Sequence, residues 1–290
     1  MRYVVGYTPS DRGADAVALA SALARAQGAH LDLVYVVDRR TPYVALHPEG
    51  SGVSAAEQKM ITAEREGLSL VPKDVQAKFH VRHADSHAAG LIEAALDYEA
   101  RLIVVGAASA GLFKRYTVGS AANALLHASP VGVALAPRGY RRTEPITRLT
   151  AAVGQRPGAE AAIDVAITAA ERRGVPLRLV SLVELDAEGD SGENINAAHI
   201  HANTVLTAAA RRLPAGHNVT VEVAHGRTIE EAIDDLDWDE GEIMIIGSSR
   251  LAEKNKLFLG STAHKVLLAL PVPMVVVPRD FVANKTSPAV

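Results

Sequence analysis

Two hydrophobic rhythms alternate along the chain. Short continuous apolar runs read as buried strands, and stretches with an apolar residue every three or four positions read as amphipathic helices. In the first half, Tyr3–Tyr7 is such a run. The segment from Asp11 to Gln27 then carries Val17, Leu19, Ala20, Leu23 and Ala24 on one helical face, and Gly28 stops it. Further strands are predicted at Leu31–Val37, Ala77–His83, Arg101–Val105 and Val131–Ala136, and further helices at Ala55–Leu70, Ala88–Tyr98 and Ser120–Ala128. Arg39–Gly52, with Pro42, Pro48 and two glycines, reads as a loop. The second half repeats the pattern, with strands near 148–153, 177–184, 219–224, 243–246 and 273–277.

The repetition extends to individual residues. Leu102-Ile103-Val104-Val105-Gly106 matches Ile243-Met244-Ile245-Ile246-Gly247. Gly119-Ser120-Ala121 matches Gly260-Ser261-Thr262, Pro130-Val131 matches Pro271-Val272, and Pro137-Arg138 matches Pro278-Arg279. Positions 106 and 247, 119 and 260, 130 and 271, and 137 and 278 are each 141 apart, without a gap. Such self-similarity marks a duplicated unit. The charged, proline-bearing stretch Gly139–Thr147 is the natural boundary, giving domains at 1–140 and 147–283 and a frayed polar tail at 284–290.

Strands that alternate with helices require right-handed parallel crossovers. The fold class is therefore α/β, as two tandem doubly wound domains, each with a five-stranded parallel sheet. Ligands in such sheets sit at the carboxyl ends of the strands where the winding reverses. With five strands that crevice falls between the first and fourth. The loops that line it are Thr8–Gly13 with Gly106–Gly119, and Gly154–Gly158 with Gly247–Gly260.

Composition removes several chemistries. The chain of 290 residues is 48% hydrophobic and 22% charged, ordinary for a globular protein, and it contains no cysteine. Disulfides, zinc–cysteine sites, iron–sulfur clusters and thiol catalysis are excluded. The net charge is −3, from 14 Lys and Arg against 13 Asp and Glu in residues 1–140 and 16 against 20 in the rest. Neither half has the basic excess of a nucleic-acid binder. The opening reads as a strand rather than a secretory leader, and no apolar run reaches the ~20 residues of a membrane span. A cytoplasmic protein with no membrane partner is expected.

What remains is the glycine-bearing loop after the fourth strand of each half. Glycines let backbone N–H groups approach an anion, and a helix N-terminus adds unpaired donors and a favourable dipole. Ser120 and Ser261 stand where an N-cap is wanted, and capping alone accounts for a Gly-Ser pair. A strand ending in glycine, a loop of about a dozen residues and Gly-Ser opening a helix together resemble the universal stress protein family, as a tandem member, over nearly the whole chain. The resemblance implies an adenine nucleotide alpha hydrolase-like domain with strand order 3-2-1-4-5. It also implies ATP or a related adenine nucleotide in the crevice and a regulatory role in stress response through an unknown protein partner. The family's nucleotide-binding members carry G-x2-G-x9-G-[ST]. Here Ser109 and Arg250 replace the second glycine, and Thr8 and Gly154 stand where an aspartate usually follows the first strand. Losing one such contact weakens binding by roughly 5–150-fold.

The candidate contacts in the first half are Thr8, Pro9, Val36, Gly106, Ser109, Gly119, Ser120 and Ala121. In the second they are Gly154, Leu182, Gly247, Arg250, Gly260, Ser261 and Thr262, with the first half favoured. Lys114, Arg115, Lys254 and Lys256 are loop cations, and Arg250 either clamps a phosphate or fills its place. Two alternatives stay open: an interaction module with degenerate pockets, and an ATP-hydrolysing enzyme. The latter needs a metal-binding acid that positions 8 and 154 lack.

No other constellation competes. His80, His83 and His87 cross from strand to helix, and His199 and His201 do not share a helical face. Trp238 is expected to pack, and the acidic run 234–240 to be a solvated helix end. The apolar fifth strands would be exposed edges. In the resembling family such edges pair between subunits, so the two halves are expected to form an intramolecular pseudo-dimer about a pseudo-twofold, with a further homodimer open.

Overall fold

The computed structural model describes residues 1–25, 27–39, 55–107, 119–153, 159–184, 191–248 and 257–278. By contact the chain divides into two compact units, one built on residues 1–109, 118–125 and 134–145, the other on 110–117, 126–133 and 146–290.

The first repeat runs β1 (Arg2–Gly6), α1 (Asp11–Arg25), β2 (His30–Asp38), α2 (Ala55–Ser69), β3 (Ala77–Ala84), α3 (His87–Asp97), β4 (Leu102–Gly106), α4 (Ser120–Ala128) and β5 (Gly132–Ala136). Its strands lie in the order β3-β2-β1-β4-β5. The pairing is parallel, with Val4 opposite both Asp32 and Ile103. The β1 and β4 interiors are buried on both faces, which is why they read as uninterrupted apolar runs. Tyr3 on one sheet face bonds Gln27 just beyond α1, and Tyr7 lies against Gly67 of α2. Gly6, on the opposite face, makes room for Leu91 of α3 and for Val105. Helices thus cover both faces, and the winding reverses between β1 and β4.

Local chemistry sets the ends of the elements. Ser10 precedes α1 and its hydroxyl accepts the Gly13 N–H at 3.3 Å. After the last turn of α1 comes Gly28 at φ 58°, the left-handed stop that glycine adopts freely. Ser86 caps α3 through the Ala89 N–H.

The second repeat runs β6 (Arg148–Ala152), α5 (Ala159–Arg173), β7 (Leu177–Glu184), α6 (Ser191–Ala210), β8 (Val219–Gly226), α7 (Ile229–Asp234), β9 (Glu242–Gly247), α8 (Ser261–Ala269) and β10 (Met274–Val277). Its strand order, β8-β7-β6-β9-β10, is the same 3-2-1-4-5. Trp238 packs on Val180, Ala224, Ala232 and Leu236 and donates its indole N–H to the Ile233 carbonyl. It is a packing residue, as its sequence context suggests.

Both repeats bury a charge cluster near the amino-terminal ends of their strands. In the first repeat Asp32 is fully buried and receives Arg2 (2.7 Å from Nε) and His80 (2.9 Å), while Arg2 lies over the Tyr98 ring. In the second the buried carboxylate is Glu242 on β9, held by Arg148, Arg178 and the Thr150 hydroxyl. Arg178 lies opposite Thr150 as Asp32 lies opposite Val4, so the two repeats place opposite charges at one equivalent position.

Candidate functional site

The parallel register carries the carboxyl ends of β1 and β4 side by side, and β2 continues past them. The Tyr7 N–H donates to the Val34 carbonyl at 3.0 Å just after β1 ends. Val36 is two residues further along β2. Residues of equal parity turn their backbone groups the same way, so the Val36 N–H and carbonyl point into the space that β1 vacates. Its side chain does not. The Val36 methyls lie buried against Gly90 of α3, where a Cβ would come within 2.8 Å of them. Val36 can therefore offer a ligand its backbone, an adjacent donor and acceptor, rather than its isopropyl group.

The crevice floor is made by close backbone approach. A Cβ on Gly106 would collide with the Arg12 carbonyl oxygen, and one on Gly13 with the Thr8 carbonyl oxygen. The end of β4, the β1–α1 loop and the first turn of α1 are thereby pressed together. Gly106 is required here for packing against α1, whatever else occupies the crevice. Thr8 is half-buried and its hydroxyl lies 2.9 Å from that of Ser10. Pro9 is exposed beside it. Ser10 was not among the sequence candidates; its position directly before Asp11 is the signal that marks it as the cap of α1.

The topology brings the start of α4 to this same end of the sheet, since α4 leaves the carboxyl end of β4. Gly119 is half-buried, Ser120 exposed and Ala121 half-buried. Here the expectation of a serine cap is corrected. Ser120 is the first residue inside α4, and it is the Gly119 carbonyl that accepts the Asn123 N–H at 2.9 Å. In α8 the cap residue is Gly260 and no side chain caps the helix; Ser261 is again the first helical residue. The helix begins one residue later than a serine cap requires: Gly260, at φ −70° and ψ 165°, has the extended backbone of the cap residue, and the serine that follows is already helical. Both serines are exposed at a helix N-terminus, and in α8 no side chain is spent on capping.

The second crevice has the same frame and different walls. Val153 donates to the Val180 carbonyl at 2.8 Å, and Leu182 occupies the place of Val36, its side chain packed on the cluster under Trp238. Gly247 ends β9, and Gly260, Ser261 and Thr262 open α8. Buried Ser248 ties the two together: its hydroxyl accepts the Phe258 N–H at 2.8 Å and donates to the Phe258 carbonyl at 3.3 Å. On the flank, Lys265 in α8 is 3.0 Å from Glu184 at the end of β7, and this pairing raises the lysine pKa. The first repeat has Ala124 and Asp38 at the corresponding positions and lacks the pair. Ser109, Gly154, Arg250 and the cations Lys114, Arg115, Lys254 and Lys256 lie outside the described residues.

Tyr7 is buried beneath the first crevice, edge-on to Phe79, and burial raises its pKa. Among the described residues no group of three His, Asp or Glu side chains could hold a metal ion. No helix among them is long and apolar enough to cross a membrane.

Comparison with known proteins agrees with this architecture. The sequence model of the Universal stress protein family matches residues 1–137 and again 145–278. Universal stress proteins of Mycobacterium bovis and Mycobacterium tuberculosis are each 30% identical to the chain over 294 aligned positions, covering 96% of it and 100% of their own length. The crystal structure of a universal stress protein from Archaeoglobus fulgidus superimposes with a TM-score of 0.65 at 16% identity, covering 96% of this chain and 98% of that one.

Proposed function

The chain belongs to the universal stress protein family, and from that premise we propose that it is a non-enzymatic stress-response regulator that binds ATP or a related adenine nucleotide between β1 and β4. The observation that carries this reading is the β1–β4 crevice itself. It sets a backbone donor and acceptor on Val36, a glycine-tight floor at Gly106 and an exposed serine at the start of α4 around one end of the sheet. The Val36 pair suits the edge of a purine, and the start of α4 suits a phosphate. Thr8 and Pro9 close the side over the ribose.

The first repeat is the one proposed to be occupied. In the second, Lys265 is already neutralised by Glu184, and Arg250 stands where a small residue belongs. Phosphoryl transfer needs a metal-binding acid and a positioned base near the phosphates. Thr8 and Gly154 supply neither, so the nucleotide is held as a signal rather than consumed. The protein would then act in the cytoplasm by presenting a nucleotide-dependent surface to a protein partner.

Competition binding with a fluorescent ATP analogue tests the site. Gly119→Glu puts a carboxylate where the phosphates belong and should weaken binding by about 100-fold or more, whereas Gly260→Glu should leave it within about threefold of wild type. If both variants bind as the wild type does, the nucleotide sits elsewhere and the assignment is wrong.

A further inference from the structure

We propose that α6 is a docking surface for a second copy of this chain, the two helices meeting antiparallel across a twofold axis level with residue 202. Along α6 runs the stripe Glu193, Ala197, Ile200, Thr204, Thr207 and Arg211, spaced 4-3-4-3-4 along the sequence. At 3.6 residues per turn all six fall within about 40° of one line. All six are exposed, while Ala198, Ala202 and Ala209 on the opposite side are buried, where α6 packs on β7 and β8. The Arg211 N–H donates to the Thr207 carbonyl, so the helical turn continues to the end of the stripe.

The stripe is apolar beyond what its sequence suggests. Ile200 is 62% exposed, more than any other large hydrophobic side chain among the described residues. The Thr204 hydroxyl donates to the Ile200 carbonyl and the Thr207 hydroxyl to the Asn203 carbonyl, each at 2.9 Å. Both threonines spend their hydroxyls on their own helix, so the methyl group is the part of each exposed side chain left for packing. No Lys, Arg, Asp or Glu occurs between 194 and 210. A helix face of this length with no charge and a protruding isoleucine is unusual on a solvated surface.

Charge complementarity identifies the occupant. Glu193 and Arg211 close the two ends of the stripe with opposite signs, and neither has an ion-pair partner within the chain among the described residues. The neighbouring Arg212, by contrast, is paired with Asp164. The stripe is palindromic about position 202: 193 answers 211, 197 answers 207, and 200 answers 204. An antiparallel second copy therefore sets Glu193 against Arg211 twice, Ala197 against Thr207, and Ile200 against the Thr204 methyl. A parallel copy would oppose like charges at both ends. The alternating 4-3 spacing is the one that seats side chains between two helices at a shallow crossing angle. One helix pair is a small interface, so association in the micromolar range is expected.

Sedimentation velocity of the full chain from low micromolar to near-millimolar concentration tests this. The wild type should show a monomer–dimer equilibrium, and Ile200→Lys should be monomeric throughout. Glu193→Arg and Arg211→Glu should each weaken the dimer roughly tenfold, since each turns two attractions into two repulsions. The Glu193→Arg/Arg211→Glu double variant should return to within about threefold of wild type. Because the chain has no cysteine, the Glu193→Cys/Arg211→Cys variant adds an orientation test: oxidation should link 193 of one copy to 211 of the other. A wild type that stays monomeric overturns the proposal. So does a dimer indifferent to these substitutions, a double variant that fails to recover, or cross-links joining 193 to 193.

Discussion

At the scale of single residues, the frame of the first crevice rests on Gly106 and on the buried Asp32. Gly106→Ala would drive a methyl into the Arg12 carbonyl, a backbone atom that cannot rotate away. We expect a loss of about 1–3 kcal/mol, read by urea denaturation. A neutral result would mean that α1 and β4 are not in backbone contact at Gly106. Asp32 contributes differently. Burial pushes its carboxyl pKa up, but hydrogen bonds from Arg2 and His80 and the Arg2 charge outweigh this and hold it below the ordinary value. A carboxyl depressed in the folded state stabilises above its unfolded pKa of about 3.9 and loses that contribution as pH falls through its folded value. Asp32→Ala should therefore cost about 2–4 kcal/mol at neutral pH, less than a sealed pair because Arg2 stays partly in water. It should also flatten the decline of stability below about pH 4. An unchanged acid limb in the variant would remove Asp32 from this role.

At the scale of elements, some hydroxyls hold helices and others do not. Ser86 and Thr228 accept the Ala89 and Glu231 N–H groups as side-chain caps, so Ser86→Ala and Thr228→Ala should each cost about 1 kcal/mol. Ser120→Ala and Ser261→Ala should be neutral in thermal unfolding, because glycine occupies the cap in both helices. The sequence made Gly-Ser legible as a helix start but not which of the two residues was the cap, since both are compatible with it. Elements such as β1, β4 and β9 were legible because parallel strands covered on both faces have no polar alternation to hide them. Their limits moved by one or two residues where a polar residue belongs to the strand: Arg2 opens β1, and Glu242 opens β9. The buried charge clusters were not legible. Nothing within the run His30–Asp38 marks Asp32 as paired, because its partners Arg2 and His80 come from two other strands. Nor was the direction of the Val36 side chain, which only the packing of Gly90 against it reveals.

At the scale of the whole molecule, the duplication gives two crevices of one design with unequal equipment. The repeats have diverged where charge matters most, placing Asp32 and Arg178 at equivalent positions of the sheet and adding the Glu184–Lys265 pair to the second crevice alone. A nucleotide that prefers the first repeat should leave an asymmetric imprint. Saturating ATP should slow amide exchange in α1 and at the start of α4, and leave α5 and α8 unchanged. At a hundredfold excess over its dissociation constant it should add about 2.7 kcal/mol to the unit it binds. Equal protection of both repeats would mean that the Glu184–Lys265 pair and Arg250 do not discriminate. The central claim is that this family member holds an adenine nucleotide at all, and calorimetric titration of the purified full chain with ATP tests it most directly. We predict saturable heat with one site per chain in the micromolar range; no heat up to millimolar ATP would contradict the account and leave the crevices as relics in a protein that works through its surfaces alone.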